Sequence, residues 1–124
     1  MKPADRLLLA FGGLAGLLGV AASAAAAHMA GTESLKTAAQ FLLFHAPAIL
    51  ALVALTASGA THPVATRLAA AALAVGVILF CGDLALRALQ GTALFPMAAP
   101  TGGVLLMAGW GLAAVAAFIP AKGR

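Results

Sequence analysis

The stretch VATRLAAAALAVGVILFCGDLALRAL, residues 64–89, decides the fold of this chain. It is longer than the roughly 20 apolar residues that an α-helix needs to cross the hydrocarbon core of a bilayer. Its charged residues are Arg67 near the start and Asp83 and Arg87 near the end. We therefore predict a transmembrane helix with polar side chains toward its ends.

The composition of the whole chain supports a membrane protein. Its 124 residues are 64% hydrophobic and 8% charged, and the mean hydropathy is +1.10. A soluble domain of this size is mostly surface, which so few polar side chains would not cover. The net charge of +4 comes without a basic patch interleaved with aromatic residues, so nucleic acid is not an expected partner. We expect the chain to be embedded in a lipid bilayer.

Three further apolar runs are long enough to be membrane spans. The connections between runs contain helix-breaking or polar residues, such as SGATHP (58–63), QGTALFPMAAP (90–100) and AGTESLK (30–36). We predict one all-α domain, residues 1–124, built as an integral membrane four-helix bundle. Its approximate spans are 7–29, 38–58, 64–89 and 101–119.

The first run also resembles a secretory signal peptide. A basic segment, MKPADR (1–6), precedes the apolar residues, and small residues follow in ASAAAA (22–27). The apolar stretch, however, continues past a normal signal-peptide core, so we expect an uncleaved span. Cleavage is the alternative.

The basic residues predict the orientation. In a four-span arrangement, one side of the membrane carries Lys2, Arg6, Arg67, Lys122 and Arg124, and the other carries Lys36 and Arg87. Cytoplasmic loops are enriched in lysine and arginine, so we expect both termini in the cytoplasm.

Small residues recur at helical spacing in the first and last spans. Gly12, Gly16 and Gly19 form a stripe with Ser23, and Gly102 and Gly109 form another with Ala113. Small residues allow helices to approach closely in a membrane. We expect these stripes to pack helices within the chain. Association of two copies of the chain through a stripe is the alternative.

Four segments of the chain resemble a known family. They are GLAGLLGVAASAAAAH (13–28), FLLFHAPAILAL (41–52), GVILFCGDLALRALQG (76–91) and PTGGVLLMAGWGL (100–112). Together they resemble the domain of unknown function 423 family, which includes YgdD-like and transmembrane protein 256-like small membrane proteins. The resemblance extends from about Gly12 to Phe118, and Pro100, Gly102, Gly103, Gly109 and Trp110 are its most specific carriers.

This resemblance implies a small four-helix protein of the bacterial inner membrane whose biochemical role is not established. Gly103 and Trp110 are accordingly expected to take part in helix packing. The chain departs from the family pattern at Cys81, Asp83, Ala85 and Arg87, where relatives tend to have two serines, a tyrosine and an apolar residue.

Asp83 and Arg87 are four residues apart, which places them on one helix face. An isolated charge inside a membrane is costly, so we predict that the two side chains pair near the outer end of their span. Gly76 and Phe80 fall on the same stripe, which indicates contact with another helix. A structural ion pair, a partner or lipid contact, and ligand chemistry all remain open.

His28 and His45 are predicted to share the outer half of the membrane with Asp83. Two histidines and a carboxylate could bind a divalent metal or relay protons. No single helix carries a metal-binding pair such as HxxxH, however, and we predict no metal. The alternative is that both histidines hydrogen-bond at helix ends and interfaces.

The sequence contains no catalytic motif and no cofactor motif, so we assign no catalytic residue and expect no cofactor. Trp110, in the middle of the last span, is expected to fill a gap between helices. The favoured function is an accessory or interaction subunit that associates with a larger membrane complex or with lipid. The alternative is a small-ligand, metal or proton-binding protein that uses His28, His45 and Asp83.

Overall fold

The computed structural model describes residues 1–121. Every regular element in this range is a helix: α1 is Pro3–Ala27, α2 is Glu33–Ser58, α3 is Pro63–Gln90 and α4 is Ala98–Ala116. All four helices are long and apolar enough to cross a membrane. The predicted fold, an all-α membrane four-helix bundle, is confirmed. The last helix begins and ends earlier than the predicted span, 101–119, and α2 begins at Glu33 rather than at residue 38.

Proline and glycine set several helix ends. Pro3 and Pro63 occupy the first turns of α1 and α3, where a missing N–H costs nothing. Gly59 and Gly91 follow α2 and α3 in the left-handed conformation, with φ of 75° and 72°. Glycine adopts this conformation without strain and so ends a helix sharply. Pro47 lies inside α2, which continues through it.

The helices pack in chain order. α1 packs on α2, α2 on α3, and α3 on α4, whereas α1 and α3 touch only slightly. The most deeply buried apolar side chains accordingly belong to the two central helices, and they include Ile49, Leu73 and Val77. α1 and α4 flank this centre, and many of their apolar side chains are exposed, such as Leu17 of α1 and Met107 of α4.

The glycine stripe of α1 faces α2. A Cβ added at Gly12 would lie 2.8 Å from Cδ2 of Leu50, and one added at Gly19 would lie 2.9 Å from Cδ2 of Leu43. At Gly16 the nearest atom, Cβ of Ala46, would be 3.6 Å away, which is ordinary contact. The stripe therefore serves packing within the chain.

α3 and α4 approach still more closely. A Cβ at Gly102 would lie 2.5 Å from the backbone nitrogen of Phe80 and 2.8 Å from the carbonyl oxygen of Gly76. Gly109 is similarly close to Leu73, at 2.7 Å. Gly103 differs from the expectation, because a Cβ there would meet nothing within 4 Å. Successive residues of a helix point about 100° apart, so position 103 faces away from α3 although position 102 faces it.

An ion pair that spacing did not predict joins α1 to α3. Nε of Arg67 donates to Oδ1 of Asp5 over 2.8 Å, and Nη2 donates to Oδ2 over 3.1 Å. Asp5 is buried. The pair brings the N-terminal ends of both helices together, so Lys2 and Arg6 share one end of the bundle with Arg67. We call this the N-terminal end and the opposite one the far end. Lys122 and Arg124 lie outside the described residues.

Candidate functional site

Asp83 is the most deeply buried charged residue of the described chain. Oδ2 accepts a hydrogen bond from Nε of Arg87 over 2.8 Å, and Oδ1 accepts one from the backbone N–H of Leu94, also over 2.8 Å. Asp83 therefore pairs with Arg87 as its spacing predicted. It also joins the last turns of α3 to residues 91–97, which we call the α3–α4 loop.

The side chain of Arg87 is 53% exposed although its partner is buried. Within residues 1–121, its hydrogen bonding to protein is confined to Nε, so Nη1 and Nη2 are available to other acceptors. The neighbouring α3–α4 loop exposes the apolar side chains of Leu94, Phe95 and Met97. The cation of Arg87 and several apolar side chains therefore lie close together at the far end of the bundle.

His45 lies in the middle of α2 and connects it to α4. Nδ1 lies 2.7 Å from the carbonyl oxygen of Phe41, and Nε2 lies 3.0 Å from Nε1 of Trp110. An indole N–H can only donate, so Nε2 must accept this bond. Nδ1 then carries the proton and donates it to Phe41. The two bonds define a neutral imidazole with both nitrogens occupied.

Aromatic rings surround this histidine. Phe41 stacks on His45 with ring centroids 5.7 Å apart, and Phe80 of α3 lies 4.5 Å from Phe41. Trp110 meets His45 edge-on, also at 5.7 Å, and remains 49% exposed. The Nε1 edge of Trp110 therefore connects α4 to His45 of α2, and the rest of its ring is exposed.

The structure does not bring His28, His45 and Asp83 together as one site. His28 is exposed at the C-terminal end of α1. His45 is engaged by Phe41 and Trp110, and Asp83 by Arg87 and Leu94. Across residues 1–121, no three His, Cys, Asp or Glu side chains form a group that could hold a metal ion. The predicted cluster rests on a shared depth in the membrane, and residues at the same depth on different helices need not face one another.

A cleft of about 490 Å³ opens between α1 and α3, with α2 as its floor. It exists because α1 packs on α2 and barely touches α3. Its lining is almost entirely apolar and includes Phe11, Leu18 and Ala22 of α1, Leu42 of α2, and Ile78 and Ala85 of α3. The sequence pattern did not predict this cleft, since it depends on how far two helices that are not neighbours in the chain separate.

The cleft adjoins the α3–α4 loop. Gly82 lines the cleft, and a Cβ added there would lie 3.7 Å from Cδ2 of Leu94. The hydrogen bond from Leu94 to Asp83 thus holds an apolar side chain against the helix that forms one wall of the cleft.

A family model described as "Protein of unknown function (DUF423)" matches residues 20–103. No curated protein and no solved structure matches the chain. The matched range contains His45, the Asp83–Arg87 pair and the α3–α4 loop, and it ends before Trp110.

Proposed function

The chain belongs to the DUF423 family of proteins of unknown function, and from this premise we propose that it is an accessory subunit of a larger membrane complex. In this proposal it associates laterally with a transmembrane helix of a partner protein. The observation that carries the proposal is the apolar cleft between α1 and α3.

The shape of the cleft suits a helix. Its α1 wall runs from Phe11 to Ala25, which is about 21 Å at 1.5 Å per residue. Both walls contain small residues, among them Ala15 and Ala22 on α1 and Gly82 and Ala85 on α3. Small residues allow helix backbones to approach closely in lipid, where packing rather than the hydrophobic effect drives association.

The polar groups inside the bundle support association rather than chemistry as the role. Asp5, His45 and Asp83 are each bound to other groups of the chain. Thr56 and Thr66 share a hydrogen bond of 2.7 Å between α2 and α3. These groups hold the helices together, which is what a rigid docking subunit needs.

The proposal includes a location in the bacterial inner membrane, with both termini in the cytoplasm. The basic residues support the orientation, because Lys2, Arg6 and Arg67 share the N-terminal end of the bundle, whereas Lys36 and Arg87 are at the far end. The excess of basic residues is expected on the cytoplasmic side.

Site-specific photo-cross-linking in native membranes tests the proposed function. A photoreactive residue at Ala22, inside the cleft, is compared with one at Val104, on the exposed face of α4. We expect Ala22 to yield one discrete protein adduct, identified by mass spectrometry as a membrane protein, and Val104 to yield none.

A second variant, Ala85→Leu, fills the cleft from the α3 side and should abolish the Ala22 adduct. Identical adducts from Ala22 and Val104, or an adduct that survives Ala85→Leu, would contradict docking in the cleft.

A further inference from the structure

The far end of the bundle presents a second surface, which adjoins the cleft at the end of α3 but does not depend on the proposed function. It consists of Arg87, the end of α3 and the α3–α4 loop. We propose that this surface binds the phosphate group of a phospholipid in the leaflet at the far end, with Arg87 as its ligand and the exposed apolar side chains in contact with the acyl chains.

The first argument is the anchoring of the guanidinium at Nε, which leaves its other two nitrogens free within the described residues. Nε of Arg87 donates to the buried carboxylate of Asp83 over 2.8 Å. The side chain is 53% exposed, and within the described residues Nη1 and Nη2 remain free to bind another acceptor. A guanidinium presents its donors as a planar fork that matches two oxygens of one phosphate. Because Asp83 restricts the side chain, less conformational entropy is lost when phosphate binds.

The second argument is charge. Asp83 is the last acidic residue of the chain, so the α3–α4 loop and α4 carry none. The other acidic residue toward this end, Glu33, lies 3.3 Å from Lys36. Oδ1 of Asp83 faces the N–H of Leu94 rather than the surroundings. The exposed edge of Arg87 therefore offers positive charge to an incoming anion.

The third argument is position. α3 has 28 residues, about 42 Å in length, and so exceeds the roughly 30 Å hydrocarbon core. Arg87 lies in its last turn, at the level where lipid phosphates begin. Around it, Phe95 and Met97 are exposed, as is Leu89, which also lines the cleft. A phospholipid can bind the guanidinium through its phosphate and contact the apolar side chains through its acyl chains. A soluble anion can make only the first of these contacts.

The test uses the full chain, purified in an uncharged detergent and freed of lipid. Three probes are added separately: dioleoylphosphatidylglycerol, dioleoylglycerol and inorganic phosphate. Helix melting is followed by circular dichroism, because a ligand that binds only the folded state raises Tm. We expect dioleoylphosphatidylglycerol to raise Tm more than dioleoylglycerol does, and inorganic phosphate to leave Tm unchanged.

Variants assign the effect to Arg87. Arg87→Gln should abolish the excess shift from phosphatidylglycerol, and Arg87→Lys, which keeps the charge without the fork, should reduce it. Lys36→Gln removes an exposed cation toward the same end and should leave the shift intact. If Arg87→Gln does not fold, the Tm shift from phosphatidylglycerol in Arg87→Lys is compared with that in Lys36→Gln, and a smaller shift in Arg87→Lys supports the proposal.

Three results would overturn the proposal. Equal shifts from the two lipids would show that phosphate is not recognised. An equal shift from inorganic phosphate would indicate a site for soluble anions. A full shift in Arg87→Lys or Arg87→Gln would show that the guanidinium is not the ligand.

Discussion

Asp83 and Leu94 are joined by a hydrogen bond of 2.8 Å from the backbone N–H of the loop residue to the carboxylate. The same carboxylate binds Arg87. One buried side chain therefore fixes both the end of α3 and the path of the chain into α4.

The first prediction concerns the coupling of Asp83 and Arg87. Arg87→Leu leaves a buried carboxylate without its countercharge, and we expect it to lower the free energy of unfolding by about 1–3 kcal/mol. The double variant Asp83→Asn with Arg87→Leu removes both charges and keeps an oxygen for Leu94, so it should cost less. The free energies of unfolding of Asp83→Asn, Arg87→Leu and the double variant are measured by denaturation in detergent. Strictly additive losses would show that the two residues act separately.

The second prediction compares two adjacent glycines. Gly102→Ala places a methyl group 2.5 Å from the backbone nitrogen of Phe80, so α3 and α4 must separate. We expect a loss of about 1–3 kcal/mol. Gly103→Ala meets open space and should be within about 0.5 kcal/mol of the wild type or more stable. Thermal melts of both variants provide the measurement, and equal losses would refute the close α3–α4 contact.

The sequence predicted those features that depend on neighbours along the chain. Apolar runs predicted four helices, although the bounds differ by a few residues. A spacing of four predicted the contact between Asp83 and Arg87. Glycine spacing indicated the packing faces of α1 and α4, but the family resemblance alone did not distinguish Gly103 from Gly102.

The features that the sequence did not predict depend on how separate helices are placed. Arg67 meets Asp5 although 62 positions separate them, and Trp110 meets His45 across 65 positions. Each of these contacts depends on which faces of the helices meet, and no local pattern encodes that. The cleft, likewise, results from the gap between α1 and α3.

The third prediction concerns His45 and Trp110. His45→Phe keeps a ring between Phe41 and Trp110 but removes the acceptor of the indole N–H. Trp110 is the single tryptophan of the chain, so its fluorescence reports this site alone. We expect emission at shorter wavelength in His45→Phe and no change in His62→Phe, which alters a loop. An unchanged spectrum in His45→Phe would show that the hydrogen bond is absent in the membrane.

The last prediction concerns orientation in the membrane. Both ends of the described chain lie at the N-terminal end of the bundle, because four helices alternate in direction. Lys2, Arg6 and Arg67 share that end, and Lys122 and Arg124 follow α4 in the sequence. The bias toward basic residues on the cytoplasmic side predicts cytoplasmic termini.

Reporter fusions measure this orientation directly. A fluorescent protein that folds only in the cytoplasm should be active after Arg124 and inactive when inserted in the α1–α2 connection, residues 28–32. Alkaline phosphatase, which needs an oxidising compartment for its disulfides, should give the opposite pattern. A fluorescent signal from the 28–32 insertion would reverse the orientation and place Arg87 at the cytoplasmic leaflet. The phosphate contact proposed for Arg87 would then involve that leaflet, since it depends on the end of α3 and not on which compartment it faces.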